Sequence, residues 1–172
     1  MSDTSVNHEL ILISRVLTVC INDWSIHIPQ GKPYVKNLPK EKGRSRRVSN
    51  EEIDAITLAT QSKLLGSVLI LAIETAMRRA EISGIEHKHI NLSKRTLTLL
   101  ETKNGETRIV PLSTKAIQVI QSLPRNISGK LFNLKADSIT QSFARAITRA
   151  KAKYKGNDDD FLNDLRFYDL RH

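Results

Sequence analysis

RTLTLLETKNGETRIVPLS, residues 95–113, carries the clearest backbone signal in the chain. Leu, Thr, Ile and Val fill its two arms, and Asn104-Gly105 sits between them, a pair favoured at the centre of a two-residue type I′ turn. That turn predicts a hairpin in which Lys103 faces Glu106, Glu101 faces Arg108, Leu100 faces Ile109 and Leu99 faces Val110. Apolar then meets apolar and a charge pair meets across the strands, as antiparallel pairing favours. Lys103 falls at the hairpin tip. Everything outward of this hairpin reads as helix or loop. The expected fold class is therefore mainly α (α+β): a helical domain with a small antiparallel hairpin or sheet.

Working back from the hairpin, "RRAEISGI" (78–85) predicts a short helix stopped at Gly84. A longer helix over about 62–77 turns Leu64, Leu65, Val68, Leu69 and Ala72 inward. Before it, Ser49 with Glu52 three residues later forms a capping box. The helix it opens is expected to point Ile53, Ile56 and Leu58 inward. Working forward, helices are expected from Thr114 to about Leu123 and from about Asp137 to Tyr154. The second has an apolar stripe of Ile139, Phe143, Ala146, Ile147 and Ala150. Arg145, Arg149 and Lys153 recur every four residues on another face. Like charges at that spacing repel by roughly 0.2–0.5 kcal/mol per pair. The row reads either as a phosphate-facing stripe or as a solvated polar face.

Residues 31–47 have no helical or strand period. Seven Lys or Arg (Lys32, Lys36, Lys40, Lys42, Arg44, Arg46, Arg47) stand there against the single Glu41. This is either a solvated linker or a strap across a phosphate backbone. Residues 8–24 place Leu10, Ile13, Leu17, Cys20 and Trp24 at helical spacing. So apolar a helix needs a partner: either a missing part of its own module or the rest of this chain.

The net charge of +9 and pI near 9.8 favour an anionic partner, with nucleic acid ahead of a membrane surface. Cys20 is the only cysteine, which excludes an intrachain disulfide or a cysteine-built metal site. It reads as a small buried apolar residue, and a reducing, cytoplasmic setting is expected. No run long enough for a membrane span and no leader pattern is evident. There is no phosphate-binding glycine loop, no nucleophile elbow and no set of metal ligands beyond the pair His87 and His89. No cofactor or metal is expected. What remains is cationic: Arg78 and Arg79 opening a short helix, Lys103 on the hairpin, and Arg171 in the terminal "FYDLRH" (167–172).

In this order the pieces resemble the tyrosine recombinases of the phage integrase family. The family's Thr-Gly-Met/Leu-Arg-x-x-Glu box corresponds to Thr75-Ala76-Met77-Arg78-Arg79-Ala80-Glu81, with Ala76 at the glycine. Its next segment corresponds to "IEHKHINL" (85–92), where the Trp and acidic positions are replaced. Its hairpin lysine falls on Lys103, and "RIVPLS" (108–113) matches its Arg-x-Val-Pro-Leu continuation. Its His-Asp-Leu-Arg-His box falls on Tyr168-Asp169-Leu170-Arg171-His172, with a tyrosine where histidine is commonest.

The resemblance implies a helical recombinase catalytic core over residues 49–172, a basic linker over 31–48, and over 1–30 the last helix of an otherwise missing core-binding domain. It implies cleavage and rejoining of double-stranded DNA through a 3′-phosphotyrosine, with homo-oligomers on DNA in the complete enzyme and no membrane. Arg78 and Arg171 would hold the phosphate and Lys103 would protonate the leaving 5′ oxygen. Tyr168 would either keep a hydrogen bond to the phosphate or pack beside Phe167. Lys40, Lys42, Arg44, Arg46, Arg47, Arg145, Arg149 and Lys153 are the expected DNA-backbone contacts. The family's nucleophilic tyrosine lies past its second arginine, whereas Tyr34, Tyr154 and Tyr168 all precede Arg171. This stretch alone is therefore expected not to cleave DNA. Three readings follow: part of a site-specific recombinase, a non-catalytic DNA-binding remnant or regulator, or a module that pairs with another recombinase through its apolar first helix.

Overall fold

The computed structural model describes residues 2–39, 43–100 and 107–171. The chain divides into two compact units, Met1–Ser45 and Arg46–His172. In the first, helix α1 (Asp3–Asn22) begins at Ser2, whose hydroxyl accepts from Ser5 N. The helix starts earlier than its apolar spacing suggests, and Trp24 lies past its end, exposed. The chain then runs back along it. The buried Asn7 carboxamide accepts from Leu38 N at 2.7 Å and donates to Leu38 O at 3.0 Å, closing both backbone groups of one residue. Lys32 Nζ reaches Thr18 Oγ1 at 3.0 Å. Part of the basic stretch is therefore folded onto the helix. Ile11, Leu12, Ile13 and Val16 stay exposed, and Cys20 is only partly buried. Contrary to the sequence expectation, α1 is long and apolar enough, by length and composition only, to cross a membrane.

The second unit is built from α2 (Asn50–Ala59), α3 (Leu65–Thr75), α4 (Arg79–Ser83), strands β1 (Ile90–Asn91), β2 (Thr96–Leu99) and β3 (Arg108–Pro111), α5 (Thr114–Ser122) and α6 (Ala136–Lys153). The expected capping box opens α2: Ser49 Oγ accepts from Glu52 N at 3.1 Å and Glu52 Oε2 accepts from Ser49 N at 3.0 Å. Ile56 and Ala59 turn inward with Glu52. Leu58 does not; it is 84% exposed, because two residues advance a helix by about 200° and Ile56 faces the core. Helix α2 packs on α6, α3 on α5, and the core is Leu, Ile, Val, Ala, Met and Phe from all of them.

The sheet has three antiparallel strands in the order β1-β2-β3, so the expected hairpin gains a strand. Its register also differs from the turn-based expectation. Leu97 pairs with Val110, Thr98 with Ile109 and Leu99 with Arg108, two residues away from Leu99 facing Val110. Leu100 and Ile109 are both exposed and do not face each other. A slip of two keeps every side chain on its face, so alternation could not separate the two registers. Contacts outside the hairpin decide. Leu112 N donates to Arg95 O at 2.8 Å, locking one end. Arg108, opposite Leu99, reaches the carboxylate of Glu81 in α4. The turn at Asn104-Gly105, with Glu101, Lys103 and Glu106, lies outside the described residues.

Candidate functional site

Helix α3 ends on a left-handed residue, Ala76, at φ 50 and ψ 26. This conformation is one that glycine adopts freely and alanine resists. It turns the chain so that Met77 enters the core, fully buried, and Arg78 stands exposed just before α4. Glu81, one turn on, fixes Arg78 from two sides. Its Oε2 accepts from Arg78 N at 2.7 Å and its Oε1 from Arg78 Nη1 at 2.8 Å. The same carboxylate takes Arg108 Nη2 at 3.1 Å. The Glu81 side chain is only 7% exposed. Burial pushes its carboxyl up, but the Arg78 hydrogen bonds and the charges of Arg108 and Arg78 outweigh this and hold it below its ordinary value.

The second arginine comes from the other end of the unit. Residues Phe167–Arg171 form a 3-10 turn rather than the start of an α-helix. Asp169, fully buried, ties that turn down by accepting from Arg166 N at 2.8 Å. Phe167 meets Phe143 of α6 edge-on at 5.5 Å. Arg171 then reaches α3's end: its Nε donates to Ala76 O at 2.7 Å. Its guanidinium lies 5.2 Å from the Tyr168 ring centroid, a cation–π distance. The turn packs against α3, which brings the two distant motifs together.

The result is an open hollow of about 760 Å³ lined by Arg78, Arg79, Arg166 and Arg171, with Tyr168 at its edge and no carboxylate in its wall. Its floor is apolar, from Phe143, Ile147 and Leu165. Arg79 also contacts Thr140 Oγ1, and Asp137 Oδ1 at 3.5 Å. A surface of this charge attracts an oxyanion and repels a cation.

Of the expected site residues, Arg78, Tyr168 and Arg171 therefore share one hollow. Lys103, Lys40 and Lys42 lie outside the described residues. Arg46 pairs with the buried Glu52 and also bonds Asn163 O at 3.4 Å. Glu52 in turn accepts from Leu162 N at 2.7 Å. Arg44 is half-buried and Arg47 exposed. Arg145, Arg149 and Lys153 lie along α6 on the flank away from the hollow, which Thr140, Ala144, Ile147 and Thr148 of the same helix line. The sequence set Arg79 beside Arg78 at the start of the short helix, but it gave no site role to Glu81, Arg108 or Arg166. Glu81 stands inside the arginine box and Arg108 opens "RIVPLS", but only the fold shows one carboxylate serving both Arg78 and Arg108. Among the described residues no group of three His, Cys, Asp or Glu gathers as metal ligands do.

The model of the phage integrase family matches residues 46–172. The chain is 30% identical over 174 residues, its whole length, to a shufflon-specific DNA recombinase of Escherichia coli, of which it covers 43%. It is 31% identical over 178 residues to a putative integrase/recombinase of Haemophilus influenzae, covering 97% of this chain and 55% of that one. The chain thus spans about half the length of these relatives. Among solved structures, a lambda integrase tetramer bound to a Holliday junction superposes with a TM-score of 0.71 at 16% identity, over 98% of this chain and 52% of that one. The Tn1549 transposon integrase in complex with circular intermediate DNA superposes at 0.67 and 15% identity, over 99% and 64%. At those identities the likeness shows the fold.

Proposed function

The chain belongs to the phage integrase family, and from that premise we propose that its second unit grips a DNA phosphodiester as part of a site-specific tyrosine recombinase. The observation that carries this is the pair Arg78 and Arg171 in one hollow without a carboxylate. Arg171 gives its Nε to Ala76 O, and its two Nη groups have no partner among the described residues. Arg78 gives one Nη to Glu81 and keeps the other. Each arginine thus presents a charged donor face, the geometry that matches phosphate oxygens.

Transfer of a phosphoryl group passes through a state with charge on its equatorial oxygens. Two fixed guanidiniums stabilise that charge without reorganising at the moment of reaction. The hydroxyl nucleophile belongs to a residue of the complete recombinase beyond Arg171. Lys103 protonates the departing 5′ oxygen. Tyr168, 54% exposed, steadies the face of Arg171 and is a neutral hydrogen-bonding group where an imidazolium would add charge. Arg44, Arg47, Lys40 and Lys42 add backbone contacts, and the complete protein works as an oligomer on DNA in the cytoplasm.

The test is duplex-DNA binding by this chain, read by fluorescence anisotropy across salt concentration. Affinity should fall by orders of magnitude between about 50 and 200 mM salt. The double variant Arg78→Ala/Arg171→Ala should weaken binding at every salt concentration. Salt-independent binding, or a double variant that binds like the parent, overturns the reading.

A further inference from the structure

The basic row on α6 belongs to a second small depression, on the other flank of the helix from the arginine hollow. It has a volume of about 220 Å³ and is walled by Thr60, Gln61 and Ser62 from the α2–α3 connection and by Ser142, Arg145 and Arg149 from α6. We propose that this cup is a second phosphate site, which takes a backbone phosphate of the same DNA whose scissile phosphate sits between Arg78 and Arg171. The proposal rests on the DNA reading above and adds a separate anchoring point to it.

Four observations support it. First, no carboxylate lines the cup, although two guanidiniums do. Arg145 has no hydrogen-bond or ion-pair partner among the described residues, and Arg149 has a neutral one. Second, Arg149 is oriented: its Nη2 donates to Gln61 Oε1 at 3.0 Å. A glutamine aims the guanidinium without cancelling its charge, so the positive field remains for an incoming anion. Third, hydroxyls complete the wall. Thr60 Oγ1 accepts from Ser62 N at 3.1 Å, which fixes the connection, and Ser62 and Ser142 bring hydroxyls to the same cup. Arginine forks with Ser or Thr hydroxyls are the usual makings of a phosphate contact.

The fourth is placement. At 3.6 residues per turn, the buried stripe Ile139, Phe143, Ala146 and Ala150 faces the core. Thr140, Ala144 and Thr148 flank it on one side, in the hollow; Ser142, Arg145 and Arg149 flank it on the other, in the cup. The two sites therefore stand on either side of the exposed ridge of α6. A helix with its side chains is about 10–12 Å across, comparable to the roughly 12 Å width of the major groove of B-DNA. One duplex can meet both sites at once, whereas a free phosphate ion has no use for the pair.

The variant Arg145→Gln/Arg149→Gln, compared with the parent and with Arg78→Ala/Arg171→Ala, tests this. Arg145 is exposed and Arg149 half-exposed, and circular dichroism checks that the fold is kept; Ser142→Asp, which puts a negative charge in the cup, is the second variant. The Gln pair should lower duplex affinity at least about tenfold and reduce the slope of log K against log salt by roughly 0.9, the share of the one phosphate the cup holds. Ser142→Asp should lower affinity in the same direction. Inorganic phosphate at millimolar concentration, followed by amide chemical shifts, should leave Ser62 and Ser142 nearly unmoved where duplex DNA moves them. If phosphate alone saturates the cup and DNA does not reach it, the site serves a free anion and the proposal falls. If the parent binds no DNA, the recombinase reading falls with it. If the clamp variant loses affinity while the Gln pair does not, the cup alone is wrong.

Discussion

Arg171 Nε donates to the carbonyl of Ala76 at 2.7 Å. Two motifs 95 residues apart are joined there, and the residue that offers the carbonyl is the one in the left-handed conformation. The backbone turn that exposes Arg78 is thus also the anchor that orients Arg171.

Replacing Arg171 with Lys keeps the charge and loses both the anchor and the planar fork. DNA affinity is expected to fall several-fold, while the salt slope stays close to the parent's, because the number of cations is unchanged. Anisotropy titrations at several salt concentrations measure both; an unchanged affinity would mean that the anchor does not matter.

Ala76 is exposed and sits at φ 50, where an L-residue is strained by roughly 1–2 kcal/mol. Ala76→Gly should therefore stabilise the fold by about 1 kcal/mol, a rise of roughly 2–4 °C in Tm for a chain of this size. Ala76→Val should lower Tm. A thermal melt in which glycine is the less stable variant contradicts this.

Glu81 and Glu52 both have folded-state carboxyls held below their ordinary values. Burial works against this in each case, and the hydrogen bonds and charges of Arg78 and Arg108, or of Arg46, Ser49 and Leu162, win. A depressed folded pKa gives stability that is present above the unfolded value, about 4.3, and is lost as pH falls through the folded one. The parent should lose stability as pH drops below about 4.3. Glu81→Gln should be less stable than the parent at pH 7 and show a shallower loss in that window, by urea unfolding at stepped pH.

Arg46→Met leaves the carboxylate of Glu52, 3% exposed, without its guanidinium. Losing a charged hydrogen bond at a nearly buried group costs about 2 kcal/mol. The midpoint of urea unfolding should fall accordingly, with a change in the DNA salt slope smaller than one phosphate contact. A full unit of slope with unchanged stability would restore Arg46 to the DNA face.

The helices were legible in the sequence because their apolar spacing and caps are local: Ser49 with Glu52 opens α2, and Ile139, Phe143, Ala146 and Ala150 are the buried stripe of α6. The two arginine boxes were legible as motifs. The strand register was not, because a slip of two leaves both faces unchanged and the deciding contact, Arg108 to Glu81, spans 27 residues. Arg46 looked like its basic neighbours because nothing near it in sequence reveals the pocket that Leu162 helps to close around Glu52. The depression at Arg145 and Arg149 needed the α2–α3 connection, more than 80 residues away, to become a container.

The shared carboxylate of Glu81 has a mechanical corollary. Arg108 opens β3 and Arg78 stands just before α4, yet the two guanidiniums hold the two oxygens of one carboxylate, Arg78 on Oε1 and Arg108 on Oε2. The side chain of Glu81 thereby ties β3 to the residue that opens α4. A displacement of Arg108 itself would be transmitted to Arg78 through one side chain. One buried carboxylate thus couples the sheet to an arginine that lines the hollow.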